Sequence, residues 1–310
     1  MTQVTHNTNL SAHGVITDLS RLLRSRHWAQ QLTLFSPKAA RNMLLGNVRS
    51  RFRGRGMEFE EVRRYQPGDD IRTIDWKVSA RTQQTYTKLF CEERERPCHI
   101  LVDQRSSLFF GSEKQFKSVL AAELAAAIAW AALAGGDRVG GQVIGDLTER
   151  DCRARRNKQA VLQLIHNIDE LNQLLQQPSN ETSTTLANSL EECRRITRPG
   201  TAIFVISDFH DFDDAAAKAL TNLGKHADIT LLHVCDALED TLPISGSIAI
   251  SDGVHNSNIF LSKSLKNAYQ EKRAKQQQVL TSAVTQARAL YANIDTQLLA
   301  REALMKLFGK

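Results

Sequence analysis

The stretch CHILVDQRSSLFFG, Cys98 to Gly111, decides how this chain folds. Pro97 bounds a short apolar run, His99-Ile100-Leu101-Val102, rich in β-branched residues. Such a run predicts a strand buried on both faces of a sheet. It ends at Asp103, passes through the polar loop Gln104-Arg105-Ser106-Ser107, and reaches Gly111 before a long alanine-rich segment. In open α/β sheets, ligands bind where loops leave the carboxyl ends of strands, so function is expected at Asp103 to Ser107.

The same pattern recurs downstream. Glu113 to Leu133 predicts a helix stopped by Gly135-Gly136-Asp137, then Arg138 to Ile144 a strand with Leu147 to Cys152 as its hairpin partner. Asn157 caps a helix reaching Leu175, and Ser183 caps another over Leu186 to Ile196. Ala202 to Ile206 is a second buried run, ending in Ser207-Asp208; a helix from Asp213 to Lys225 and a strand from Ile229 to Cys235 follow. Strands alternating with helices in this way predict a mostly parallel sheet with helices on both faces. Ile248 to Ser251 and Asn258 to Leu261, around Asp252-Gly253, predict a hairpin. The tail from Ser262 to Leu307 predicts helix, broken at Asp295-Thr296.

Upstream, Leu19, Leu22, Leu23 and Leu32 recur at helical spacing, and Ser36-Pro37 with Gly46 brackets a second helix. Arg49 to Arg96 differs. Arginines alternate at Arg49, Arg51, Arg53 and Arg55, Pro67-Gly68-Asp69-Asp70 predicts a turn, and Tyr86 to Cys91 a strand. Ile71, Ile74 and Trp76 supply a small apolar cluster for a β-rich appendage. The expected organisation is residues 1–96 as N-terminal helices plus that appendage, and residues 97–310 as the α/β domain.

Composition adds bounds. The 310 residues are 42% hydrophobic and 24% charged, ordinary for a globular chain. No run approaches about 18 consecutive apolar residues, so no membrane span is expected. The N-terminus lacks the basic and apolar regions of a secretory signal. Five widely spaced cysteines without a C-x-x-C pair predict reduced thiols in a cytoplasmic protein. The net charge of +6 is modest, and no aromatic stacking platform accompanies the alternating arginines, so nucleic-acid binding is not the expected role.

Several enzyme classes leave no trace. The sequence has no G-x-x-x-x-G-K-[ST] loop, no H-E-x-x-H, no closely spaced Cys/His cluster and no G-x-S-x-G elbow. What remains is a set of oxygen-bearing residues at expected strand ends: Asp103, Ser106, Ser107, Thr184, Thr185, Ser207 and Asp208. Converging loops could present them to a hard cation such as Mg²⁺; equally, they could simply cap the helices that follow. In the appendage, Asp69, Asp70 and Asp75 with Arg63, Arg64, Arg72 and Arg81 form either a recognition surface or structural ion pairs.

One stretch is more specific. Gly54-Arg55-Gly56-Met57-Glu58-Phe59, Arg63-Arg64-Tyr65-Gln66-Pro67-Gly68-Asp69-Asp70, Ile71-Arg72-Thr73-Ile74-Asp75-Trp76 and Ser79-Ala80-Arg81 together resemble the MoxR-associated von Willebrand factor A-like family, a domain of unknown function, number fifty-eight. The resemblance implies a Rossmann-type, von Willebrand factor A-like sheet and a metal-ion-dependent adhesion site of the form D-x-S-x-S, with a later Thr and a later Asp. Asp103 and Ser107 match the first and last motif positions, Thr184 the threonine and Asp208 the later aspartate. The departure is Arg105, which stands at the middle serine; a guanidinium offers a metal no acceptor. The resemblance therefore implies a weakened or absent Mg²⁺ site, with Arg105 and Ser106 as partner-binding residues and no nucleotide. It also implies a MoxR-type AAA+ ATPase as partner, with other von Willebrand factor A proteins, and a non-enzymatic adaptor role in chaperone-like maturation or stress response. The rival expectation is a Mg²⁺-dependent phosphoester hydrolase using Asp103 and Asp208 with the Asp69/Asp70 pair.

Overall fold

The structure, a computed structural model, describes residues 14–35, 57–92, 96–177, 183–240, 247–251, 256–260 and 262–309. The alternating arginines from Arg49 to Arg55, the helix expected after Ser36 and the hairpin tip at Asp252-Gly253 lie outside the described residues. The chain forms two compact units, Arg51–Arg96 and the remainder.

The larger unit is built on a six-stranded sheet of order β10-β7-β6-β3-β4-β5. Its strands are β3 (Pro97–Asp103), β4 (Arg138–Ile144), β5 (Glu149–Arg155), β6 (Ala202–Ser207), β7 (Asp228–Cys235) and β10 (Leu290–Asp295). All neighbours pair in parallel except β5, which returns antiparallel along β4. The chain leaves β3 for β4 on one side and comes back to β6 on the other. The strand order therefore reverses between β3 and β6, and the crevice at their carboxyl ends is the expected place for a ligand.

Helices cover both faces. Against one face lies α4 (Lys117–Ala134), with α5 (Lys158–Leu174) and α10 (Ala300–Phe308) beside it. Residues 117–132 of α4 are all buried, because nine of the helix's eighteen residues are alanines that let its neighbours approach closely. By length and composition α4 could cross a membrane, but 89% of it is enclosed by the domain, as befits a core helix. The other face carries α6 (Leu186–Ile196), α7 (Asp214–Leu223) and α9 (Lys263–Ala287). Asn157, Thr185, Asp213 and Ser262 cap α5, α6, α7 and α9 through their side-chain oxygens. Thr185, not Ser183, is thus the cap of α6. After a short helix α8 (Ala237–Asp240), β8 (Ser247–Ser251) and β9 (Asn256–Phe260) form the expected hairpin.

Two expectations are corrected. The tail is not wholly helical: Leu290–Asp295 is the edge strand β10. Arg288 in the left-handed conformation ends α9 just before it, and Ala292 and Asn293 conceal the strand's β character. The N-terminal boundary also moves. Residues 14–35, with α1 (Leu19–Arg24) and α2 (Arg26–Ala29), belong to the α/β unit rather than to an appendage spanning 1–96. Arg21 pairs with the buried Glu123 of α4 at 2.6 Å, and Thr33 N–H donates to the Phe308 carbonyl at 2.7 Å. A buried amide chain fixes the segment further: Asn172 accepts from Thr17 N–H at 2.8 Å and donates to Gln104 at 2.7 Å.

The smaller unit pairs β1 (Met57–Arg64) antiparallel with β2 (Tyr86–Glu92), with a register shift between Phe59 and Glu61. Between them α3 (Trp76–Thr82) starts at Asp75, whose carboxylate accepts from Lys77 and Val78 N–H. Arg63 pairs with Asp69 at 2.6 Å, and Asp69 also accepts from Gln66 N–H, closing the turn at Gly68. Ile71 and Trp76, expected as its core, are 65% and 69% exposed. Trp76 is the first residue of α3, and the described contacts that organise this unit are polar.

His99, midway along the amino half of β3, is buried, and Nε2 has no partner among the described residues. Burial pushes its imidazole down from 6.5 to about 4. A group whose folded pKa is depressed destabilises the fold when it must charge, so its contribution is intact above about pH 6.5 and lost as pH falls toward 4. The difference corresponds to roughly 3 kcal/mol. Urea unfolding between pH 7 and 4 is expected to show this decline, and His99→Gln to flatten it; an equally steep decline in the variant would assign it to carboxylates instead.

Candidate functional site

The carboxyl ends of β3 and β6 hold two cations that the chain itself supplies. Asp103, fully buried at the end of β3, accepts from Arg105 Nε at 2.9 Å, Arg105 Nη2 at 2.7 Å and Ser207 Oγ at 2.7 Å. On its outer edge the same guanidinium meets Asp211, with Nη1 to Oδ2 at 2.6 Å and Nη2 to Oδ1 at 2.9 Å. Arg105 is therefore held bidentately by carboxylates on two edges and is only 4% exposed. Its Nη1 also reaches the Thr184 carbonyl at 3.4 Å. The second cation is Lys117 at the start of α4. It is 3% exposed, with Nζ 2.9 Å from Asp208 and 2.6 Å from Glu239.

The local folding explains the convergence. Phe209, between Asp208 and Asp211, takes the left-handed conformation with φ of 52°, uncommon for a bulky residue. The turn is held by Ser207 Oγ, which accepts from Phe209 N–H, and by Gln276 of α9, which donates to the Phe209 and His210 carbonyls. Asp208 and Asp211 are thereby delivered to different cations within one loop. Asp211 also accepts from Leu186 N–H at the first turn of α6, so the loop before α6 is tied to the same knot.

Burial pushes the Asp103 carboxyl up, and the two contacts from Arg105 oppose it. The guanidinium has no acceptor to receive a carboxyl proton, so these contacts suit the ionised form. Burial disfavours charge on Asp208 too, but Lys117 outweighs it and holds this carboxyl below its ordinary range. For Asp211 the bonds from Arg105 likewise outweigh desolvation. Arg105 is driven upward, burial notwithstanding, by its two carboxylates.

The expected residues do meet at one rim. Ser107 Oγ lies 3.3 Å from Asp208, Ser106 donates to Asp146, and the Thr184 hydroxyl donates to the Gly145 carbonyl. Two readings change, however. Arg105 points inward, onto Asp103 and Asp211. With both edges occupied, it has no face to offer a partner carboxylate, whereas Ser106 is exposed. Finally, Asp103, Ser107, Thr184 and Asp208 as placed do not fit a divalent ion. Asp103 already carries Arg105 and Ser207, Thr184 is turned to a backbone carbonyl, and Asp208 is bonded by Lys117. Among the described residues no group of three or more His, Cys, Asp or Glu is arranged around a metal position. In the smaller unit, Asp69 and Asp70 are occupied in local turns, accepting from Gln66 N–H and Arg72 N–H.

Sequence reasoning missed Lys117, Asp211 and Glu239. Lys117 opens an alanine-rich helix and reads as a solvated end residue. Asp211 sits in a polar loop where a capping role is the default, and Glu239 in the short helix α8. A D-x-x-D spacing, Asp208 and Asp211, was the available signal.

Residues 61–279 match the family described as "Protein of unknown function DUF58". The chain belongs to that family. Uncharacterized proteins of Mycobacterium tuberculosis and Mycobacterium bovis are 30% identical over 199 residues, covering 64% of this chain and 61% of theirs. The match thus spans about three fifths of those relatives' length. The uncharacterized protein YeaD of Bacillus subtilis is 48% identical over 46 residues, 15% of this chain and 12% of its own. Among solved structures, a conserved hypothetical protein BatB from Bacteroides thetaiotaomicron aligns with a TM-score of 0.41 at 15% identity, over 68% of this chain and 96% of that one.

Removing one partner of a buried ion pair leaves the other charge uncompensated, at a cost of about 3–5 kcal/mol. Arg105→Ala is expected to lose about that much in urea unfolding, since it strands Asp103. Asp103→Asn combined with Arg105→Gln should recover a large part of the loss. A double variant as unstable as the sum of the singles would mean the two residues act independently.

Proposed function

We propose that this chain is a non-enzymatic interaction protein, a von Willebrand factor A-like domain whose adhesion rim carries a protein-supplied cation in place of Mg²⁺. It serves as an adaptor for a MoxR-type AAA+ ATPase in the cytoplasm, in chaperone-like maturation or stress response, alongside other von Willebrand factor A proteins. The ATPase partnership and the setting rest on the family resemblance. The observation that carries the interaction reading is the Arg105 guanidinium clasped between Asp103 and Asp211.

The physical argument is one of charge. A divalent ion beside Asp103 would sit against a guanidinium that cannot lose its proton, in a region where water screens poorly. With Arg105 and Lys117 already compensating the buried carboxylates, the rim is built without a metal. The same saturation weighs against the hydrolase reading. A general base needs a carboxylate free to take a proton, and Asp103 and Asp208 are each bonded to a cation. Partner contact then falls to the exposed periphery, Ser106 and its neighbours around Asp146, with Arg105 as the residue that positions this loop.

Isothermal titration of the chain with Mg²⁺ and Mn²⁺ is expected to give no saturable heat. A tagged chain is expected to retain a MoxR-type ATPase on a column, and Ser106→Trp to weaken that retention while the circular dichroism melting curve stays unchanged. Tight Mg²⁺ binding abolished by Asp103→Ala would overturn the metal-free rim. Phosphatase or nuclease activity abolished by Asp208→Ala would restore the hydrolase.

A further inference from the structure

The opposite, amino edge of the sheet holds a cavity of about 500 Å³ that the rim does not involve. There α6 stops at Ile196, its last N–H bond being made by Thr197 to the Cys193 carbonyl, and both Ile196 and Thr197 line the cavity. Gly140, the register partner of His99 on β4, packs tightly on β5, where a Cβ would come within 2.5 Å of the Ala154 backbone.

The lining is chemically lopsided. Arg153 and Arg198, both exposed, stand around the cavity, with Arg138 and Asp151 also in its lining. His99 is among its lining residues, 5% exposed, with a buried Nε2 that no group among the described residues satisfies. A buried polar atom left unbonded is costly, about 1–3 kcal/mol, and its persistence asks for a partner. Cys98, Cys152 and Ile196 supply apolar wall. The volume lies in the range of small-molecule sites, and a few polar groups in a partly apolar hollow is their usual composition. Burial keeps the imidazole neutral at pH 7, so it can offer a hydrogen bond without adding charge.

We propose that this cavity binds a small organic anion. A phosphate or carboxylate is gripped by Arg153 and Arg198 at the mouth, where planar guanidinium forks match such groups, and a polar atom of the ligand body bonds His99 Nε2. The site stands apart from the carboxyl rim, so its failure would leave the reading of that rim untouched.

Histidine-labelled full-length chain, titrated with adenosine monophosphate and separately with citrate, tests the idea by NMR. At least one probe is expected to bind in the millimolar range or tighter and to move the His99 ring signals. Binding by the nucleotide alone would mark the site as phosphate-selective, binding by citrate alone as carboxylate-selective, and either supports it. His99→Ala would open a void in the core, so the Arg153→Ala/Arg198→Ala double variant, altered only at the exposed mouth, carries the second arm. It should weaken binding at least about tenfold with an unchanged melting temperature. The proposal is overturned by no binding of either probe at about 10 mM, by His99 signals that stay fixed on binding, or by undiminished affinity in the double variant.

Discussion

The clasp of Arg105 between Asp103 and Asp211 is the constraint on which the carboxyl rim depends. One guanidinium joins three segments distant in sequence: the end of β3, the loop before α6 through the Thr184 carbonyl, and the turn after β6. Each buried charge alone would cost several kcal/mol, and the arrangement persists because nearly every donor and acceptor is used. Ser207 completes Asp103, and Leu186 N–H completes Asp211. A partly satisfied network in so dry a place would be worse than apolar packing, so the completeness of the bonding is what makes these charges tolerable.

Topology sets where such a knot can form. Strand order reverses between β3 and β6, which leaves their carboxyl ends without a crossing connection above them. The loops from both strands then lean into the same crevice. Lys117 enters it from the first turn of α4, and Phe209 in its left-handed turn bends the β6 loop so that Asp208 faces Lys117 while Asp211 faces Arg105. The strain of that turn is balanced by its packing against Phe212 and His233 and by the two bonds from Gln276.

Much of this was legible from residues alone, for identifiable reasons. The β3 and β6 runs are apolar on both faces, which marks central parallel strands, and Asp103 and Asp208 end them. Position at a strand end is a local property, so sequence could place both. Arg105 stood out because it occupies a motif serine. Its partner did not, because a pairing between residues 105 and 211 is fixed by a backbone turn that a phenylalanine gives no hint of. β10 was lost for the opposite reason: Leu-Tyr-Ala-Asn-Ile-Asp is short and weakly alternating, and only docking beside β7 makes it a strand. Trp76 shows a third kind of miss: an aromatic among charges predicts a small core, yet it opens a helix on the surface.

A cation supplied by the chain differs physically from one taken from solution. A bound metal with an open coordination position can accept a carboxylate from another protein and can be removed. A guanidinium whose two edges are already bidentate has no position to open, and its charge does not depend on pH in any working range. Binding at such a rim would therefore not be gated by divalent ion concentration. It would be governed by the shape of the loop that Arg105 holds and by exposed groups such as Ser106. Affinity lost on disturbing Arg105 would then be transmitted through that loop's conformation, which distinguishes a positioning residue from a contact.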